Sequence, residues 1–385
     1  MPYDWQSGGF GLYLHWPFCE SKCPYCDFNS YVSESIDPGA WRRAYQMEIE
    51  RYGATLGNRV LHTVYFGGGT PSLMAPELVN DILQAIRRQW RTVNDIEVTL
   101  EANPSSVEIG RFRSYRDAGV NRISLGVQAL DNASLRALGR LHTKNEALKA
   151  LEIANKTFDR VNFDLIYARQ HQTLESWRQE LTEAIMLAGD HLSLYQLTVE
   201  EGTAFYERAS RGRLTGLPDE SLSADMFELT QELTSAAGFP AYEISNHAKP
   251  GSESRHNLIY WRGGDYVGIG PGAHGRISTD VSRRATEAHR SPARWLKSVT
   301  EHGSGDMTDD ALAPADLALE YLLMSLRTRE GLSLRRFAEM SGKALAEETL
   351  AHLEALKLIE VSDGQLRTTT TGRPLLNAIL RELAP

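Results

Sequence analysis

Short apolar runs with the character of β-strands recur along the first 200 residues, and each is followed by a stretch of helical period. The strand-like runs are FGLYLHW (10–16), TVYFGGG (63–69), EVTLEAN (97–103), RISLGVQ (122–128), VNFDLIYA (161–168) and LSLYQLTVE (192–200). The helix-like segments between them cover 40–56, 75–90, 107–119, 144–158 and 173–189. Strand and helix in alternation mean βαβ units and a parallel sheet. Polar or glycine residues gather where these strands end: Cys19 after the first, Gly67–Thr70 after the second, Glu101 and Asn103 at the third, Gln128 at the fourth. Asp164 lies just inside the end of the fifth. A doubly wound sheet concentrates such residues at one or two switch points, whereas a barrel brings all strand ends to one mouth. The pattern therefore predicts an α/β fold, an incomplete TIM-like barrel of about six βα units.

Beyond residue 200 the rhythm changes. Residues 219–238 read as a helix, and 241–276 as irregular strands and glycine-rich turns. From about 310 onward three helical segments precede a hairpin centred on Asp363-Gly364 and a last helix, which is the winged-helix pattern. Three regions are expected: a barrel over 1–205, an extension over 206–305, and a winged-helix-like tail over 306–385.

Composition narrows the function classes. Lysine and arginine number 41 against 50 aspartate and glutamate, a formal charge of −9, which argues against nucleic acid as the main partner. In the tail, Arg335, Arg336, Lys343, Lys357, Arg367 and Arg373 are offset by Glu339, Glu347, Glu348 and Glu354. A DNA-reading wing would be more one-sided, so a lid or docking role suits this module better than a regulator's. The first residues show no basic segment leading into an apolar run, and no apolar stretch approaches 18 residues. Neither a signal peptide nor a membrane span is expected, which leaves peripheral membrane contact open.

All three cysteines lie within eight positions, Cys19, Cys23 and Cys26 in HWPFCESKCPYCDF. An odd number without a secretory signal speaks against disulfides and for a reducing cytoplasm. Thiols this close enclose one centre. A zinc ion wants four protein ligands; His15 is a candidate for the fourth, but it lies on the predicted strand at a spacing unusual for zinc. An iron–sulfur cluster held by three thiolates instead keeps one iron open for a small molecule.

The spacing C-x3-C-x2-C with Tyr25 before the last cysteine resembles the radical S-adenosylmethionine (SAM) superfamily. There a [4Fe–4S] cluster holds the amino and carboxylate groups of SAM on its open iron and reduces the sulfonium. YFGGGTP (65–71) is similar to the superfamily's second-strand motif. The resemblance implies that Gly67, Gly68, Gly69 and Thr70 meet the SAM amino group and that Tyr25 contacts adenine. From Tyr13 onward, LYLHWPFCESKCPYC, FGGGTPS, LEANPSS, RISLGVQALD, LGRLHT, NFDLIYA and HNLIYW resemble, in order, segments of the oxygen-independent coproporphyrinogen oxidase family. By position, Tyr13 would lie beside the sulfonium, Glu101 and Asp164 would take polar edges of SAM, and Gln128 and Arg140 would complete the site. Read without the resemblance, Glu101 is equally a strand end, Arg140 a solvated helix end and Asp164 a satisfied buried carboxylate.

Two departures point away from the oxidase. Its cysteine run continues to a fourth cysteine where this chain has Phe28, and its N-terminal arm is missing, only about ten residues preceding the first strand. Both features match the sister branch, the HemW-type haem chaperones, which implies haem as a ligand and haem-acceptor proteins as partners. RHNLIYW (255–261) fits that branch's H-N-x-x-Y-W motif. His256 is the first candidate haem ligand, with Tyr260 and Trp261 as flat packing surfaces, at the barrel mouth. The same segment also reads as a histidine capping a turn beside two core aromatics. His247, His274 and His171 compete as ligands. His171 and Arg169 fall where the family commonly has Gly-Leu-Pro-Gly-Gln, and read either as haem contacts or as solvated loop residues.

Overall fold

A computed structural model describes residues 5–33 and 36–384. The first four residues, on which part of the signal-peptide reading falls, lie outside them. Six strands run parallel in chain order: β1 (Phe10–Trp16), β2 (Val60–Gly68), β3 (Arg91–Ala102), β4 (Arg122–Gln128), β5 (Arg160–Tyr167) and β6 (His191–Gln196). Each new strand adds beside the last, so right-handed crossovers place the helices on one face and curl the sheet toward a barrel. The sheet does not close. β7 (Asn246–Ala248) adds antiparallel to β6. At the other edge β8 (Asp265–Ile269) joins β1 in parallel, followed by antiparallel β9 (His274–Ser278), β10 (Arg283–Ala288) and β11 (Asp306–Ala311). The expected incomplete barrel is the observed architecture.

Local chemistry explains the elements. β1 is buried along almost its whole length, as a strand covered on both faces must be. The Pro38–Leu56 helix starts where the Asp37 carboxylate accepts from the Gly39 and Ala40 amides, with proline at the first helical position. The Lys144–Thr157 helix carries a reciprocal capping box between Thr143 and Glu146. Phe10, Ile82, Leu100, Phe163 and Trp177 belong to one continuous core between sheet and helices.

Three expectations need correcting. The segment read as one helix over 107–119 is broken into Ser106–Ile109 and Phe112–Ala118, with Gly110 at the break. Glu108 is held there by the Ser105 hydroxyl at 3.0 Å and the Asn103 amide at 2.7 Å. The sixth strand stops at Gln196 rather than 200, the Leu197 amide making the last bond of its ladder to the Tyr167 carbonyl at 2.8 Å. Within 241–276, read as strands and turns, lies a helix, Arg255–Trp261, capped by the Ser254 hydroxyl.

In the tail, the Pro314–Ser325, Leu334–Ser341 and Glu347–Ala355 helices precede a hairpin, Ile359–Ser362 with Gln365–Thr368, to which Leu332–Ser333 adds a third strand. Asp363 and Gly364 both take positive φ, 52° and 73°, as a two-residue hairpin turn of the observed hand requires. This winged-helix-like tail has its own core around Leu322, Phe337, Leu353, Leu366 and Leu380.

Candidate functional site

The carboxyl ends of β1–β5 border a cavity of about 530 Å³. Cys19, Cys23 and Cys26 line it from the loop after β1. Facing them are Gly68, Gly69 and Thr70 from β2 and its end, Glu101 from β3 and Asn103 just past it, Gln128 from β4, Asp164 from β5, and Arg140 from the loop before the Lys144–Thr157 helix. Tyr25 and Phe28 also reach this space. The structure thus assembles twelve of the sequence-predicted residues in one place, and leaves Tyr13, Gly67, His256, Tyr260 and Trp261 off its wall.

A chain of polar contacts joins two of the thiols. The Thr70 hydroxyl donates to Cys19 Sγ at 3.4 Å, and the Asn103 amide donates to Thr70 Oγ1 at 3.2 Å. Arg140 donates to Asn103 Oδ1, to the Gly126 carbonyl at 2.8 Å and to Cys23 Sγ at 3.5 Å. Thr70 and Arg140 therefore bring a dipole and a full charge to sulfur, the form of support a thiolate needs. Asn103, the middle of this chain, was visible in the sequence only as a polar strand end. Burial pushes the Cys19 and Cys26 thiols up, so loading a metal there displaces protons. Among the described residues no three His, Cys, Asp or Glu side chains converge as a single ion demands. Three thiols strung along a loop fit instead a cluster that spreads its ligands over several irons. His15, the candidate for a fourth zinc ligand, faces elsewhere: Nε2 bonds the Asn29 carbonyl at 2.9 Å and Nδ1 the Tyr13 hydroxyl at 3.0 Å.

Glu101 and Asp164 lie at the foot of the cavity. Burial, with the Asp164 charge beside it, raises Glu101 to about 7, and burial raises Asp164 to about 6. Glu101 accepts from the Tyr65 hydroxyl at 2.8 Å and the Gly68 amide at 3.2 Å. The amides of Gly69 and Thr70 go to the Trp16 and Phe18 carbonyls. With these three amides spent, what the glycine strand end has left for a ligand is carbonyl oxygen, the partner an ammonium group requires. The glycines themselves answer to packing. A side chain at Gly67 would strike the Tyr13 ring at 2.8 Å, one at Gly68 the His15 ring at 2.6 Å, and one at Gly69 the Phe18 carbonyl at 2.8 Å.

The Arg255–Trp261 helix lies at the opposite end of the strands, which corrects its expected place at the mouth. Thr63 Oγ1 meets His256 Nδ1 at 2.7 Å, and Glu97 accepts the His256 amide at 3.1 Å. Thr63 and Glu97 stand four to five residues before Gly68 and Glu101, roughly 13–17 Å away along the strands. His256 Nε2 is engaged by the Tyr260 hydroxyl at 2.6 Å, so both ring nitrogens are occupied. Burial drives its pKa down to about 3, and its ring stacks on Tyr65 at 5.0 Å. Tyr13 packs against the same Tyr65 ring, inside the barrel between base and cavity. Trp261 faces a separate cleft between the barrel base and the tail.

The competing ligands fare no better at the cavity. His247 is wholly buried between sheet and tail, His171 is exposed with its ring against Gly216, and His274 is exposed at the start of β9. Arg169 is neither a solvated loop residue nor a cavity contact. It is buried and paired with Glu180 at 2.6 Å, and it donates to the Ile166 carbonyl.

Residues 13–184 match the Radical SAM superfamily, and residues 312–375 the HemN C-terminal domain. A protein of Escherichia coli (strain K12) named "Heme chaperone HemW" is 42% identical over 96% of this chain and 96% of its own length. This chain belongs to the HemW family of radical SAM proteins. The family's member from Mycobacterium tuberculosis (strain ATCC 25618 / H37Rv), of the same name, is 38% identical over 97% of this chain and 94% of its own. The mouse protein "Radical S-adenosyl methionine domain-containing protein 1, mitochondrial" is 37% identical over 97% of this chain and 87% of its own. The solved coproporphyrinogen III oxidase (HemN) of Escherichia coli superposes with a TM-score of 0.82 at 22% identity, covering 99% of this chain and 92% of that one, a likeness of fold. Membership in the HemW family of radical SAM proteins implies a [4Fe–4S] cluster and SAM. Among the described residues no helix is long and apolar enough to cross a membrane.

Proposed function

We propose that this chain is a haem chaperone of the cytoplasm, which binds a [4Fe–4S] cluster and SAM in the cavity and carries haem to acceptor haem proteins. The observation that carries the reading is Phe28. Where the oxidase branch has a fourth cysteine, this chain has an exposed aromatic ring, and the Escherichia coli and Mycobacterium tuberculosis relatives that share most of its length are named haem chaperones.

Cys19, Cys23 and Cys26 would hold the cluster, which, when bound and reduced, would supply one electron to SAM. The protein's own part is electrostatic. Thr70 and Arg140 spread negative charge from the thiolates, and Arg140 stands ready for the SAM carboxylate. The carbonyls of the Gly67–Gly69 strand end receive the SAM amino group. Glu101 and Asp164 accept from ribose hydroxyls, Tyr25 and Gln128 flank the nucleoside, and Tyr13 backs the glycines from inside the barrel. The barrel over 1–205 would carry this chemistry. The 206–305 extension would widen its sheet, and the 306–385 tail would serve partner docking, including peripheral contact with a membrane, rather than nucleic acid.

The test is anaerobic reconstitution with iron and sulfide, then haem binding, SAM cleavage and coproporphyrinogen decarboxylation on one preparation. About four irons per chain and haem binding without decarboxylation are expected. Decarboxylation would return the protein to the oxidase branch.

A further inference from the structure

Beside the cysteine cavity, and sharing Lys22, Cys26, Asp27, Phe28 and Ser30 with it, runs an open groove of about 610 Å³, within the range of small-molecule and cofactor sites, roughly 300–1,000 Å³. One wall is the loop that carries the cysteines. The other is the 289–294 turn, which ends β10 and starts the Pro292–His302 helix, together with Met307 of β11. Asn29 and Tyr31 lock the walls together, both donating to the Arg290 carbonyl, at 2.9 Å and 3.2 Å.

We propose that this groove is the haem site, with His289 as the iron ligand, Phe28 as the face the porphyrin packs on, and Arg290 and Arg294 as the partners of its propionates. The inference rests on the haem-chaperone reading and supplies its location.

Three independent features of the groove match the three parts of haem. The first is apolar surface where a soluble protein has reason to hide it: Phe28 is 59% and Met307 50% exposed, and both line the groove. The second is positive charge. Lys22, Arg290 and Arg294 line the groove and form no ion pair among the described residues. Asp27 and Glu201 are its two carboxylates, so the groove is net positive in a chain of net −9. The amino end of the Pro292–His302 helix adds its dipole on the same side. The third is a free imidazole. His289 is pinned through its backbone, its amide donating to the Gly305 carbonyl and its carbonyl accepting from the Gly272 amide, both at 3.0 Å. Its ring makes no hydrogen bond to any described residue. His256, by contrast, has both nitrogens spent, and His142, the imidazole of the cysteine cavity, gives Nε2 to the Val127 carbonyl at 3.0 Å. An open groove also suits a group that must leave again.

The test is haem titration of the reconstituted full chain, read by affinity and by the Soret band. Wild type, His289→Ala, the pair Arg290→Glu with Arg294→Glu, and His256→Ala are compared at equal iron content. His289→Ala should shift the Soret band and weaken binding at least tenfold. The arginine pair should weaken haem about tenfold with the band in place, and leave haem dimethyl ester, which lacks free propionates, unaffected. If wild type binds haem and His289→Ala and the arginine pair match it in affinity and spectrum, the groove is not the site. Loss of binding to anionic vesicles by the arginine pair, with haem binding intact, would likewise overturn the inference and assign the groove to a lipid surface. No haem binding by wild type would instead refute the chaperone reading.

Discussion

At the carboxyl ends of β2 and β3, Thr70, Glu101 and Asn103 border a cavity of about 530 Å³, whereas four to seven residues earlier along the same strands Thr63 and Glu97 are sealed under the Arg255–Trp261 helix. Both ends are rich in polar and aromatic groups. At the mouth those groups hold one another at the rim and leave sulfur, carboxylate and carbonyl atoms facing space. At the base the imidazole of His256 finds a partner for each nitrogen, and Tyr65 closes over it. Chemistry-bearing residue types thus mean different things at the two ends, and the state of their hydrogen bonds tells which.

The largest expected effect breaks this contrast if it fails. Cys19→Ala, Cys23→Ala and Cys26→Ala should each cut bound iron and sulfide below about a tenth of wild type, a cluster needing all three ligands, while His256→Ala keeps full iron content. Equal iron loss in the histidine variant would make the base part of the cofactor site.

Next in size, His256→Ala should destabilise the protein by about 2–4 kcal/mol in denaturant unfolding, from the cavity and the stranded Thr63 and Tyr260 hydroxyls, with the haem spectrum unchanged. A variant of wild-type stability with an altered spectrum would restore His256 as a ligand.

The carboxylates sharpen the comparison through pH. Glu101 and Asp164 are raised to about 7 and about 6, so the folded apoprotein holds their protons longer than the unfolded chain does. Their contribution to stability is complete below the ordinary carboxylate range and is lost as pH rises through 6 and 7. A cationic ligand favours the ionised forms, so SAM should bind about tenfold tighter at pH 7.5 than at pH 5.5, by calorimetry on reconstituted protein. Glu101→Gln should flatten the upper part of that rise. Affinity independent of pH would remove both carboxylates from the site.

The smallest effect is expected at Thr70. Thr70→Val deletes one hydrogen bond to Cys19 Sγ and should move the cluster potential to more negative values at unchanged iron content, measured by redox titration.

The six parallel strands were legible because each has its own apolar run, and the mouth was legible because parallel strands bring their ends together. The Arg255–Trp261 helix was not. Seven residues are too few to display a helical period, and Gly263-Gly264 just beyond read as turns. The chain Thr70–Asn103–Arg140 spans three separate connections, and no local spacing announces it. His289 sits in AHRSPARW without a recognisable pattern; only its free ring and its neighbours across the groove set it apart. The H-N-x-x-Y-W segment shows the converse, since a motif fixes residue identities without telling which end of the barrel they occupy.

β1, which leads into the cysteine loop, pairs with β2 on one side and with β8 on the other, Phe10 lying opposite Asp265. The ribosome thus makes the strand at the start of the chain and its second neighbour about 250 residues later. At roughly 5–20 residues per second, β1 waits on the order of 10–50 s with one row of amide and carbonyl groups unpaired. During that interval the cysteine loop exists while β8–β11, which wall one side of it, do not. Synthesis therefore leaves a window in which that bare edge is most exposed to pairing with another chain.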